Sequence, residues 1–242
     1  MPSVPDWIAI RGEWASLLII AGVLMLSTRS LSRLLGLPRN ELGDLFWNGA
    51  LAFVIIGRLA YVAIEAREAL TDPLVLIRIQ GGIEPFAGVL AAGAVLAWRT
   101  RADASSRLTW LAAAAGGLAV TAVIYDIACV ARDACYGTEA PAPLGFAMSD
   151  LSETRLATPL IQAALLTLAA GALLSSGLSP RRALIGLGGV AALSRVVFTP
   201  LSVLGTDALG LESVLFALLG VAAVALAFAD RTAAAVTPIA DG

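Results

Sequence analysis

The chain has 242 residues, of which 59% are hydrophobic and 14% charged, with a net charge of −2 and a mean hydropathy of +0.87. A soluble domain carries about a quarter charged residues, so this composition excludes one and describes an integral membrane protein. All 16 cationic side chains are arginine and histidine is absent; imidazole proton transfer is excluded, and arginines, carboxylates, tyrosines and two cysteines remain for chemistry.

The first apolar run, about 14–28, follows Met1-Pro2-Ser3-Val4-Pro5-Asp6-Trp7. That start has no basic segment and no small-residue cleavage site, so the run is expected to be a retained span and not a signal peptide. Further runs lie at about 45–63, 82–98, 108–127, 157–178, 183–199 and 212–229. Most approach the roughly 20 residues that cross a hydrocarbon core of about 30 Å. Ala, Gly and Leu dominate them, without the alternation of a membrane barrel, and the pairs Gly116-Gly117 and Gly188-Gly189 suit close helix contact. The expected fold is all-α: one integral membrane domain over 1–242, with about seven transmembrane helices, an outer amphipathic arm and a long outer loop. No internal repeat or linker divides it.

Arginines between the runs set the orientation. The first link carries Arg29, Arg33 and Arg39, the third Arg99, Arg101 and Arg107, the fifth Arg181 and Arg182, and the tail Arg231. The positive-inside rule assigns these to the cytoplasm. The N-terminus and the two long links, near 64–81 and 128–156, are then expected outside, and the C-terminus inside.

Candidate chemistry begins at the end of the second span, Gly57-Arg58-Leu59-Ala60-Tyr61-Val62, where Arg58 and Tyr61 share a helix face at i and i+3. Two readings stand: an arginine snorkelling to the outer interface beside a belt tyrosine, or one arm of a phosphate clamp. Glu65 to Leu70, with Pro73 and the apolar patch Leu74 to Ile79, reads as an arm resting on the membrane. Gly81-Gly82 precedes the third span; its backbone N–H groups can cradle an anion, and glycine pairs are equally ordinary turn signals.

Cys129 and Cys135 are six residues apart near the start of the long outer link. They either close a disulfide on an oxidising face or serve as thiols, and they lack Cys-x-x-Cys spacing. Arg155 enters the fifth span and Arg195 ends the sixth. A guanidinium keeps its charge, and at the bilayer centre it costs about 2.5–3.5 kcal/mol on insertion scales. Arg58, Arg155 and Arg195 on one side of a bundle would together suit a lipid phosphate, which guanidinium binds bidentately.

In succession these segments resemble the prolipoprotein diacylglyceryl transferase family over about 14–229. Gly57-Arg58-Leu59-Ala60-Tyr61 resembles that family's Gly-Arg-Leu-Gly-Tyr pattern, Gly81-Gly82 its opening of the third span, and Cys129 through Gly137 a Cys-containing variant of its signature. Arg155 through Gln162 resembles its Arg-x-Pro-Thr-Gln-Leu-Tyr-Glu segment, and Arg195-Val196 its late Arg-Phe segment. The departures are specific. The family's histidine in the third span falls at about Phe86. Its Gly-Arg-x-Gly-Asn signature fits in two registers. Either Cys129 takes the Asn place and the essential arginine falls on Asp126, which keeps Cys-Tyr-Gly aligned and is preferred, or Arg132 is that arginine and Cys135 takes the Asn place. The Tyr-Glu pair becomes Ile161-Gln162, and the acidic residue after the late arginine becomes Thr199.

The resemblance implies a multi-pass protein of the bacterial inner membrane that moves a diacylglyceryl group from phosphatidylglycerol to the thiol of a lipobox cysteine on an exported protein. It implies catalytic roles among Arg195, Arg155, Asp126 and Arg132, and lipid phosphate binding by Arg58, Tyr61, Gly81, Gly82 and Gly137. No cofactor, metal or nucleic acid is implied. The alternative is a relative that lost catalysis and acts as a lipid-binding or lipoprotein-handling scaffold.

Overall fold

The computed structural model describes residues 6–65, 84–101, 106–131, 137–141, 145–147, 154–198 and 211–234. Among them run seven helices: α1 (Asp6–Leu35), α2 (Arg39–Glu65), α3 (Pro85–Thr100), α4 (Arg107–Ala131), α5 (Thr158–Ser175), α6 (Pro180–Phe198) and α7 (Leu211–Ala234). Strands β1 (Gly145–Ala147) and β2 (Thr154–Leu156) lie between α4 and α5 and pair antiparallel.

Helix ends follow local chemistry. Gly36 and Gly177 take positive φ, 67° and 73°, where a side chain would strain the backbone. Each is followed by a proline, Pro38 and Pro180, whose fixed φ suits a helix start. Ser32 Oγ donates to Leu37 O at 2.7 Å, tying the end of α1 to the turn. Glu84 caps α3, its Oε2 accepting from Ala87 N at 2.6 Å, and so uses one of the donors a helix start leaves unpaired.

By length and apolarity three described helices suffice to cross a membrane: Arg39–Ile64, Arg107–Cys129 and Thr158–Ser175. Phe86–Thr100 and Ser213–Ala229 are shorter apolar helices. α6 carries Arg181, Arg182 and Arg195 within its 19 residues. Large apolar side chains face outward on the helices, among them Leu26 of α1 and Leu168 of α5, each at 74% exposure. Water penalises such a surface, whereas hydrocarbon does not.

The chain forms two compact units. One comprises Met1–Ala15 and Leu24–Ala114, the other Ser16–Val23 and Ala115–Gly242. In the first, α2 packs on α3. Gly88 permits the contact, because a Cβ there would lie 2.6 Å from Phe53 Cδ2 and 2.9 Å from Phe53 O. Glu84 N donates to Gly57 O at 3.0 Å, and Arg99 pairs with Glu41 at 2.7 Å.

In the second unit α6 packs against both α5 and α7. Leu166, Leu187, Ala119 and Ala191 form a buried cluster from α4, α5 and α6. Gly188 and Gly189 serve two different neighbours: a Cβ on Gly188 would lie 2.6 Å from Ala115 Cβ, and one on Gly189 2.8 Å from Gly220 O. Small residues here bring backbones close enough for van der Waals packing, which must hold helices together where lipid removes the hydrophobic drive.

Candidate functional site

Asp126 and Arg195 stand near the ends of α4 and α6, and the second unit brings them together. Arg195 Nη2 donates to Asp126 Oδ1 at 3.4 Å. The two side chains are unequally placed, with 40% exposure for Arg195 and 3% for Asp126. A planar guanidinium offers five N–H donors in a fixed fork, so its exposed part can meet an oxyanion while one nitrogen faces the carboxylate. The other carboxylate oxygen, Asp126 Oδ2, is buried and accepts no hydrogen bond from the described residues. Tyr125, on the same turn of α4, lies under the guanidinium with its ring centroid 5.3 Å from Cζ, a range in which the ring face attracts a cation.

The residue before Arg195 is fixed from below. Gln162 Nε2 on α5 donates to Ser194 Oγ at 2.9 Å, and Ser194 Oγ donates to Ala191 O at 2.8 Å. Both side chains are buried. In low dielectric such a satisfied pair sets helix rotation. It thereby sets the direction in which the next residue, Arg195, leaves α6.

Arg155 sits on β2 and not on the fifth helix, which begins only at Thr158. Pro159 lies in the first turn of α5, where its missing N–H costs nothing and its fixed φ suits a helix start. β2 is flanked on both edges. Arg155 pairs with Phe146 of β1 and bridges backbone to backbone with Glu139 on the other side. Gly137 N donates to Leu156 O at 2.8 Å, which ties the buried Gly137 to β2. The Nε of Arg155 is buried.

Arg58 and Tyr61 belong to the other unit. Arg58 is 7% exposed, with its Cζ 5.4 Å from the Tyr61 centroid. A snorkelling arginine reaches for water; this one is turned into protein. Cys129 is buried and disulfide-bonded. Gly81, Gly82, Arg132 and Cys135 lie outside the described residues, as does most of the expected outer arm. Two contributors escaped the sequence reading. Tyr125 is an ordinary aromatic until Arg195 is known to lie over it, and the Gln162–Ser194 bond joins positions 32 residues apart.

Long apolar helices with outward-facing leucines mark a multi-pass membrane protein. The chain matches the family described as prolipoprotein diacylglyceryl transferase over residues 7–195, and it belongs to that family. No curated protein matches it.

Proposed function

We propose that the protein transfers the diacylglyceryl group of phosphatidylglycerol to the thiol of a lipobox cysteine on an exported protein. The observation that carries this reading is the family match over residues 7–195, which takes in Arg58, Asp126, Arg155 and Arg195. In the transfer, sulfur bonds to the terminal glycerol carbon of the lipid and the carbon–oxygen bond to phosphate breaks. Negative charge then grows on the departing glycerol phosphate. A guanidinium already aimed at that phosphate stabilises the transition state without reorganising water. Arg195 takes this role because it is half-exposed, oriented by the Ser194–Gln162 bond and backed by Tyr125. Arg155 supports it. Arg58 with Tyr61, and the backbone N–H groups of Gly81, Gly82 and Gly137, bind lipid phosphate; in the second register of the signature Arg132 is the essential arginine.

The protein works in the bacterial inner membrane with its N-terminus outside, its C-terminus in the cytoplasm and the catalytic groups on the outer half. Incubation of purified protein with headgroup-labelled phosphatidylglycerol and a lipobox peptide tests the reading. Release of labelled glycerol phosphate with formation of thioether-linked peptide is expected.

A second reading is favoured by one observation. Asp126 holds a negative charge against Arg195, where the family's signature in the preferred register carries a cation. A site neutralised in this way, in a chain without histidine, suits a lipid-binding scaffold. Phosphatidylglycerol bound without any transfer would establish it.

A further inference from the structure

Asp126 Oδ2 is the feature of the second unit that packing alone leaves unexplained. Leaving a buried polar atom without its hydrogen bond costs about 1–3 kcal/mol, more for a charged group, and such atoms in folded proteins call for a reason. Here Oδ1 has Arg195, and Oδ2 has no hydrogen-bond donor among the described residues. We propose that Asp126 is the proton acceptor for the incoming thiol: Oδ2 takes the S–H proton while Arg195, beside Oδ1, takes the lipid phosphate.

The remaining carboxylates support this by their occupations. Among the described side chains Glu41 is held by Arg99, Glu84 caps α3, and Asp44 and Glu139 face outward. The chain has no histidine. Asp126 alone among them is buried next to a guanidinium with one oxygen left over. Arg195 places the two halves of the reaction side by side, since one fork of donors can touch both the carboxylate and a phosphate oxygen.

The step balances. The S–H proton passes to Asp126 Oδ2 as sulfur forms its bond to the glycerol carbon. The carbon–oxygen bond to phosphate breaks, and its electron pair leaves with glycerol phosphate. Asp126 then returns its proton to the departing phosphate or to water. The inference rests on the transferase reading, and its test must fail separately from it.

The test compares wild type with Asp126→Asn on two lipobox peptides, one carrying cysteine and one selenocysteine, whose selenol is ionised at neutral pH and needs no base. Asp126→Asn is expected to slow transfer to the cysteine peptide by about 10²–10⁴-fold and transfer to the selenocysteine peptide by less than about tenfold, within the range of a minor geometric loss. Equal loss on both peptides, or no loss on either, overturns the inference while leaving the transferase reading intact. Wild type that transfers to neither peptide overturns the transferase reading and this inference with it. If Asp126→Asn no longer binds labelled phosphatidylglycerol, Asp126→Ser, which also removes the carboxylate, replaces it, and the cysteine peptide must again lose more than the selenocysteine peptide; equal losses overturn the inference.

Discussion

Arg195→Gln keeps hydrogen-bonding capacity beside Asp126 but removes the positive charge. A single anion-stabilising donor is worth about 10²–10³ in turnover. Arg195→Gln is therefore expected to lower transfer by at least that factor while the protein stays folded, as judged by monodisperse elution in detergent and retained helicity. Wild-type transfer would remove Arg195 from the mechanism. Ser194→Ala acts differently. It leaves the buried Gln162 amide without its acceptor, a cost of about 1–3 kcal/mol, and a lowered thermal midpoint should show it. Three arginines were legible as unusual because charge in an apolar run is conspicuous. Their partners were not. Asp126 and Arg195 are 69 positions apart, and only the packing of α4 against α6 within one unit makes them neighbours. Arg155 was expected at the entry of the fifth span, and it lies just before that helix, on a strand whose pairing with Phe146 hydropathy does not reveal.

At the scale of elements, hydropathy located all seven described helices and understated most of them. The run at about 14–28 is the middle of α1, Asp6–Leu35, and the run at 45–63 lies inside α2, Arg39–Glu65. Charged and polar residues end a hydrophobic window without ending a helix, because their backbone groups still bond four residues along. Caps and turns end it. Glu84→Ala removes the α3 cap and is expected to destabilise by about 1 kcal/mol, with faster hydrogen exchange at the first turn as the readout. Gly189→Val forces α6 away from Gly220. Overpacking of this kind costs about 1–3 kcal/mol, so Gly189→Val should melt earlier than wild type, whereas Gly171→Ala, with open space around the site, should not. The glycine pair was readable in sequence as a contact motif, but its division between two neighbouring partners was not, since adjacent residues face different sides of a helix.

For the molecule as a whole, arginine placement predicts sidedness. Single cysteines introduced at Ser32, Ser105 and Ser152 should react differently with an impermeant maleimide applied outside intact cells. Ser152 should label and the other two should not; the reverse pattern would invert the orientation. Composition was enough to establish a membrane protein, because few soluble folds carry so little charge. The order of motifs along the chain was enough to suggest the family that the match over 7–195 establishes. Catalysis could not be read in the same way, since fold and chemistry separate readily and the chain has no histidine to act as a base. The measurement that tests the central claim most directly is transfer by the purified wild-type protein from labelled phosphatidylglycerol to a lipobox peptide. The account predicts a thioether-linked diacylglyceryl peptide and one released glycerol phosphate per peptide modified. Phosphatidylglycerol bound at Arg195 with neither product formed would contradict it.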